Sequence, residues 1–479
     1  MTILLSATIS ITAAITCLRP PMQAIDSSAN KSIFILPFLW FFKALILPWT
    51  HAKEIIAQPN KAFIEVDFLK GLSVLMVITF HVFFAVFVVF KKQPEALQLF
   101  IDSIPPAMSF VLGFDKAVDI FFMLSSFLLT YSLLNIHEKK QDISVSRFYL
   151  HRFFRIYPLF VVALLLYGLA DIDKLLRDGW YSLLFIENIF SKGIIPVQWS
   201  LSIEMQFYLI MPWLILLLLR SCHGIFWLVV LIVLSAGARY WVALSDALIY
   251  QTPWYQMFQS EHISLYMDSM YYVIETRLTP LLLGMLWAWL IFFKPNARLQ
   301  SSAVVKALVW ISMLSLIYIS MRFPVYAESS HYYQVFDSQI NLAAISLHRI
   351  VFSVAILVLI LFGFYQLKPT ASSVRQNLKQ RLLENKTWRL LSEVAYPMYF
   401  FHFPFVAIAW VLVLGTTEIH SIEQIRLWML APVIALAIAM TLYFSLWMNF
   451  LIEARFIKIG KQIETKWFAG HNAPANRKN

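Results

Sequence analysis

Charge and cysteine are what this sequence has least of. Only 14% of its 479 residues are Asp, Glu, Lys or Arg, against 60% hydrophobic ones, and the mean hydropathy is +0.70. Soluble globular domains carry about 25% charged residues, so the bulk of this chain is expected inside a lipid bilayer. Cys17 and Cys222 are the only cysteines, too few for a disulfide framework or a cysteine metal site. The sequence has no Gly-x-Ser-x-Gly elbow, no phosphate-binding glycine loop and no His-Glu-x-x-His zinc motif. It has no internal repeat and no low-complexity tract. No loop is long enough for a second folded domain, and residues 1–18 lack the basic start of a cleaved signal peptide. The net charge of +11 comes without a Lys/Arg cluster interleaved with aromatics on a soluble module, which argues against nucleic acid as a partner.

What is present is a series of apolar segments. Ten run over 72–90, 117–134, 156–170, 199–219, 224–247, 278–293, 303–322, 341–364, 390–416 and 427–451. An earlier apolar stretch, 33–49, carries Lys43 and reads as an eleventh span or an interfacial helix. The expected fold is an all-α polytopic membrane bundle of ten core transmembrane helices with this extra N-terminal helix. The expected divisions are an extension over 1–60, a membrane domain over 61–452 and a basic tail over 453–479.

Basic residues orient the bundle. The loop 135–155 holds Lys139, Lys140, Arg147, Arg152 and Arg155, and placing it in the cytoplasm sets the rest by alternation. Arg220, then Lys294 and Arg298, then the loop 367–389 and the tail with Arg455 and Lys458 all fall on that side. The opposite loops hold acids such as Asp246, Glu261, Asp268 and Glu328. The stretch 180–190 is too short to span and is expected at the outer interface or dipping back in.

Polar residues inside the spans are the candidates for chemistry, because ionisable groups at membrane depth are rare and face the protein interior or a wet cavity. His81 is at the middle of nineteen residues, 72–90, without a charged side chain. Lys70 precedes it by eleven residues, about 16 Å and almost three whole turns along a helix, and Asp67 shares that face. His402 is expected at matching depth in another span, so the two imidazoles could meet in one cavity; the bland alternative is that each bonds a neighbouring backbone or hydroxyl group. Arg152 and Arg155 share a helix face, either as an anion clamp suited to phosphate or as snorkelling interfacial arginines. Glu204, at the outer end of its span, has Ser200 and Tyr208 four residues to either side; it is either a partnered carboxylate or a wet interfacial one. Asp119, Arg277, His348 and Arg349 also lie within spans, and their pairing is not legible. His137 and Asp142 have the His-x4-Asp spacing of glycerolipid acyltransferases but lie in the charged run His137-Glu-Lys-Lys-Gln-Asp142, most simply a solvated loop.

Five stretches together resemble the acyltransferase-3 family of integral-membrane acyltransferases. Ile64-Glu-Val-Asp-Phe-Leu-Lys-Gly71 through His81 resembles the family's Leu-Asp-x-Leu-Arg-Gly opening and its intramembrane histidine. Asp119-Ile-Phe-Phe-Met-Leu-Ser-Ser-Phe127 is similar to its Phe-Phe-x-x-Ser-Gly-Phe segment. Arg152-Phe-Phe-Arg-Ile-Tyr-Pro158 is similar to Arg-x-x-Arg-Ile-x-Pro, Trp199-Ser-Leu-Ser-Ile-Glu-Met-Gln-Phe-Tyr208 to Trp-Ser-Leu-x-x-Glu-x-x-Phe-Tyr, and Tyr396-Pro-Met-Tyr-Phe-Phe-His402 to Tyr-Ser-Leu-Tyr-Leu-x-His. Lys70 stands where the family has arginine, Ser126 where it has glycine, and Met205 where many members have a second glutamate.

The resemblance implies transfer of an acyl group, acetyl by preference, from cytoplasmic acyl-CoA to a hydroxyl of an extracytoplasmic carbohydrate or glycolipid. Its typical acceptors are lipopolysaccharide O-antigen, peptidoglycan, exopolysaccharide or glycan intermediates, and the expected location is a bacterial inner membrane with the C-terminus cytoplasmic. On that reading Arg152 and Arg155 hold the CoA phosphates, and His81 is the general base or carries the acyl group. Lys70 and Asp67 set its protonation, and Glu204 and His402 position the sugar in the outer half. Thioester energy suffices, so no metal and no ATP are expected. The rival reading is a multi-span transporter or flippase, whose paired inverted halves are not seen in this sequence.

Overall fold

The structure is a computed structural model, and it describes residues 35–59, 63–139, 143–259, 262–294, 302–366 and 383–468. Asp142, Glu261, Arg298, the basic residues of 367–382, Lys140 and Cys17 lie outside the described residues. Among the described residues the secondary structure is helical, with no strand.

All ten apolar segments are helices. In chain order, α1 is Ile35–Ala57, α2 Ile64–Phe90, α3 Ala117–Glu138, α4 Val145–Gly168, α5 Ile172–Leu183, α6 Glu187–Phe190, α7 Gln198–Arg220 and α8 Gly224–Ser245. Then come α9 Leu278–Phe293, α10 Ala303–Met321, α11 Ser338–Gln366, α12 Lys386–Glu393, α13 Ala395–Leu414, α14 Leu427–Met448 and α15 Ala454–Phe468. Among the described residues nine helices are long and apolar enough to cross a membrane, and α9, at 16 residues, is a shorter tenth. Exposed apolar side chains such as Leu209, Trp213, Leu217, Val233, Trp241 and Ile311 face outward from these helices. Exposed apolar surface on that scale suits hydrocarbon rather than water. The chain is a multi-pass membrane protein.

One segment departs from its sequence reading. The run 390–416 is two helices, α12 and α13, broken at Val394. Pro397 explains the break. Proline has no N–H to give, and its ring clashes with the carbonyl four residues back in a continuous helix, so it belongs in a first turn. A helix restarting at Ala395 puts it there.

Packing then places the polar residues. Helices α3 and α9 lie against each other at Gly284: a Cβ there would stand 2.0 Å from Ser126 Oγ and 2.2 Å from the Met123 carbonyl oxygen. Only glycine permits that approach. Helix α2 packs on α12 and α13, and α15 packs on α4, where Gly460 meets Phe154. Two apolar clusters fill the interior, and Phe121 of α3 packs against both. The stretch 180–190 ends α5 and forms α6; Phe185 adopts a left-handed backbone (φ 57°) and seats its ring 4.8 Å from Phe160.

Candidate active site

A cavity of about 350 Å³ opens between α2, α3, α4, α7 and α13. Its walls include Lys70, Ser125, Arg152, Arg155, Glu204, Tyr208 and Tyr399. Helical periodicity assembles it: Glu204 and Tyr208, and likewise Arg152 and Arg155, are one turn apart and share a face. Tyr208 donates its hydroxyl proton to Glu204 and also meets the Ser125 hydroxyl. Arg152 stands beside Tyr208, Glu204 and Arg155. The Nε of Arg152 has no hydrogen-bond partner among the described residues. A buried guanidinium N–H without a partner is a standing penalty that an anionic ligand would relieve. The cavity therefore suits an anionic group.

The second element is the histidine pair. His402, fully buried, bonds the Tyr399 carbonyl through Nδ1 at 2.7 Å. A carbonyl only accepts, so His402 Nδ1 carries the proton and Nε2 presents a lone pair. That Nε2 lies 3.0 Å from His81 Nδ1, which is also 2.8 Å from the Val77 carbonyl. Both neighbours of His81 Nδ1 are acceptors, so the His81 proton sits there, shared between them. The tautomer this imposes leaves His81 Nε2 with a bare lone pair, the form a general base or an acyl-carrying nucleophile requires. Rings of Phe403, Phe80 and Phe84 pack around His81, with centroids 4.5, 5.1 and 6.0 Å away.

Tyr399 joins the two elements. Its hydroxyl meets Ser200 Oγ at 2.5 Å in the cavity wall, and its carbonyl fixes the His402 proton. Neither histidine lines the cavity; Tyr399 and Phe121, with ring centroids 5.8 Å apart, stand at that end of it.

The remaining candidates fall elsewhere. Asp67 accepts a 2.7 Å hydrogen bond from Ser392 and so clamps α2 to α12, about half a turn before the break at Val394. Lys70 lies in the cavity wall, not beside His81. Glu204 sits with Arg152, Arg155 and Lys70 rather than with His402. Asp119 takes Arg277 (3.0 Å) and Arg349 (2.8 Å), Arg349 also bonds Asp115, and Lys116 bonds the Phe323 carbonyl at 2.6 Å. The Tyr271 ring receives both guanidinium faces, at 4.5 and 5.0 Å.

Two buried carboxyls escaped the sequence reading. Glu453, bonded by Asn449 at 2.8 Å, lies near Arg155 and Lys70. The signal was an acid at the end of an apolar run, which the boundary at residue 452 set aside. Glu187 of α6 contacts Ser202 Oγ through both oxygens, at 2.6 and 2.7 Å. Burial pushes this carboxyl up to about 7, against the smaller opposing pull of the Ser202 hydroxyl. A protonated carboxyl can give one hydrogen bond to Ser202 and take another, which matches the paired distances.

A helical membrane bundle with a cationic cavity and, beyond Tyr399, a histidine pair is the class this geometry defines. A family model described as "Acyltransferase domain" matches residues 63–450, and the chain belongs to that family, acyltransferase-3. It is 27% identical over 176 residues to the peptidoglycan O-acetyltransferase OatA of Listeria monocytogenes, an alignment covering 33% of this chain and 24% of that one. It is 28% identical over 120 residues to an uncharacterized protein of Haemophilus influenzae, covering 21% of this chain and 49% of the relative. A Staphylococcus aureus (strain COL) protein named provisionally as an O-acetyltransferase is 29% identical over 121 residues, covering 21% of this chain and 20% of the relative. The chain thus spans less than half the length of each of these three relatives. No solved structure matches the chain.

Proposed function

We propose that this protein is a membrane O-acyltransferase that moves an acyl group, acetyl by preference, from cytoplasmic acyl-CoA to a carbohydrate hydroxyl on the outer side of a bacterial inner membrane. The observation that carries the reading is the junction at Tyr399: one residue borders the cationic cavity and fixes the tautomer of the histidine pair. Family membership and the names of the O-acetyltransferase relatives support it.

On this reading Arg152 and Arg155 neutralise donor phosphates, with Arg152 Nε free to take one of them. Lys70 and Glu204 line the route of the thioester arm, which passes Tyr399 to reach the histidines. His81 Nε2 accepts the proton of the acceptor hydroxyl as its oxygen attacks the thioester carbonyl. The C–S bond breaks, and the proton returns from His81 to the leaving thiolate. His402 holds the His81 ring and shares its Nδ1 proton, so the positive charge that develops on His81 is spread over a hydrogen-bonded pair. The family's arginine is Lys70 here, so the charge near the donor survives without the bidentate fork.

The test is transfer of label from acetyl-CoA to an added glycan acceptor by the purified full-length protein. Label moves in the wild type and not in His81→Ala; equal transfer by the variant removes His81 from this role. Comparison of envelope glycans by mass, with and without the gene, identifies the acceptor.

A further inference from the structure

The cavity of about 350 Å³ is at the small end for ligand sites, which run from about 300 to 1,000 Å³, and does not hold a whole nucleotide-bearing thioester. The far end of the donor needs a seat beyond it. A second cavity of about 100 Å³ adjoins the first and shares Leu129, Ser132 and Arg152 with it. Along α4 its wall continues through His151 and Arg147 to Ser144. Arg147, His151 and Arg155 are spaced four residues apart, so they form one row on one helix face leading into the large cavity. A volume of about 100 Å³ has room for a phosphate group but not for a nucleoside.

That row is occupied by the protein's own anion. Glu464 of α15 reaches over, with one carboxylate oxygen 3.2 Å from Arg147 Nε and the other 2.7 Å from His151 Nε2. Phe468, one turn on, lies under the Arg147 guanidinium at 4.9 Å. Gly460, one turn before, allows α15 to approach Phe154. A carboxylate on an Arg–His pair has the charge and the acceptor geometry of a phosphate oxygen pair. We infer that the second cavity is a subsite for a phosphate of the donor's nucleotide end, and that Glu464 of α15 occupies the subsite until that phosphate displaces it. This rests on the acyl-CoA reading above and adds residues to it: Arg147 and His151 bind, and Glu464 competes.

The readout is the ratio of KM for acetyl-CoA to KM for S-acetyl-phosphopantetheine, which has the same thioester but no nucleotide. It is measured on the full chain in zwitterionic vesicles. Arg147→Gln raises the ratio about tenfold, the size of one charge-assisted contact, and Glu464→Gln lowers it by a factor of about three to ten. A general disturbance of α4 or α15 moves both KM values together and leaves the ratio in place, which overturns the subsite. A ratio that shifts only when anionic phospholipid is added assigns the phosphate to a lipid headgroup and also overturns it. Binding of adenosine 3′,5′-bisphosphate alone separates this inference from the reading it rests on. Binding weakened by Arg147→Gln and tightened by Glu464→Gln, in a protein that transfers no acetyl group, upholds the subsite and defeats the transferase. Transfer with binding indifferent to both variants does the reverse.

Discussion

Two groups of ionisable side chains lie inside this bundle, and they are built on opposite plans. Around Asp115 and Asp119, charge closes on itself. Arg277 and Asp119 are each 1% exposed, Arg349 answers both carboxylates, Lys116 ends on a backbone carbonyl and Tyr271 covers the guanidinium faces. Around Arg152, charge surrounds space. The guanidinium keeps an unpartnered Nε, its carboxylate neighbour Glu204 is taken up with Tyr208, and the walls enclose about 350 Å³. The two groups teach that an intramembrane charge marks a ligand site where it borders open volume; an unpartnered donor alone does not, since Arg277 and Arg349 each keep one inside the closed cluster. Where buried carboxylates and guanidiniums pair with one another, the charges hold helices together.

That contrast can be broken from either side. The largest effect is expected in the closed cluster. Arg349→Met takes one guanidinium from two buried carboxylates and leaves Asp119 with Arg277 alone, which costs about 3–5 kcal/mol, a large part of the stability of most folded proteins. Most of the protein should be lost from the monodisperse peak on size exclusion, and a wild-type profile would show that the cluster is not structural. At the histidine pair the loss should be of rate alone. His81→Ala should reduce transfer by about 10²–10⁴-fold, the usual worth of a positioned acid–base group, with a melting temperature close to wild type. In the open cavity the effect is smaller again. Arg152→Lys keeps the charge and loses the fork, so KM for acetyl-CoA should rise about tenfold with kcat little changed.

The smallest effect tests a third arrangement, one buried carboxyl with one hydroxyl. Burial raises the Glu187 carboxyl from 4.5 to about 7. Below about pH 4.5 both the folded and the unfolded chain hold the proton, and the full contribution is present. Between about 4.5 and 7 the unfolded chain ionises first, so the stability of the wild type falls as pH rises through that window. Glu187→Gln keeps a Ser202 partner and does not titrate. Its melting temperature relative to wild type should therefore increase by a few degrees from pH 5 to pH 8, and an unchanging difference would mean Glu187 is ionised throughout.

How much of this was legible beforehand differs by residue. The ten helices were, because an apolar run long enough for a bilayer has few other fates. The meeting of His81 with His402 was an expectation from matching depth, and their contact at 3.0 Å required α2 and α13 to pack side by side. The partner of Asp67 was not legible: Ser392 lies 325 residues away and comes within reach only because α12 runs along α2. Glu204 read as an outer-half residue from its place in α7, yet helix packing puts it beside Arg152 in the cavity wall. Arg277, Arg349 and Asp119 were visible as intramembrane charges and silent about which bonds which.

Sequence alone determined that this chain lives in a bilayer, where its helices lie and which few side chains must find partners there. Lipid cannot solvate a bare backbone or a bare charge, so composition settles those matters locally. Only the tertiary structure decided which charges seal one another and which line a space, and how far Tyr399 stands between cavity and imidazole. Those outcomes depend on contacts between helices far apart in the chain, set by side-chain packing that no single segment contains.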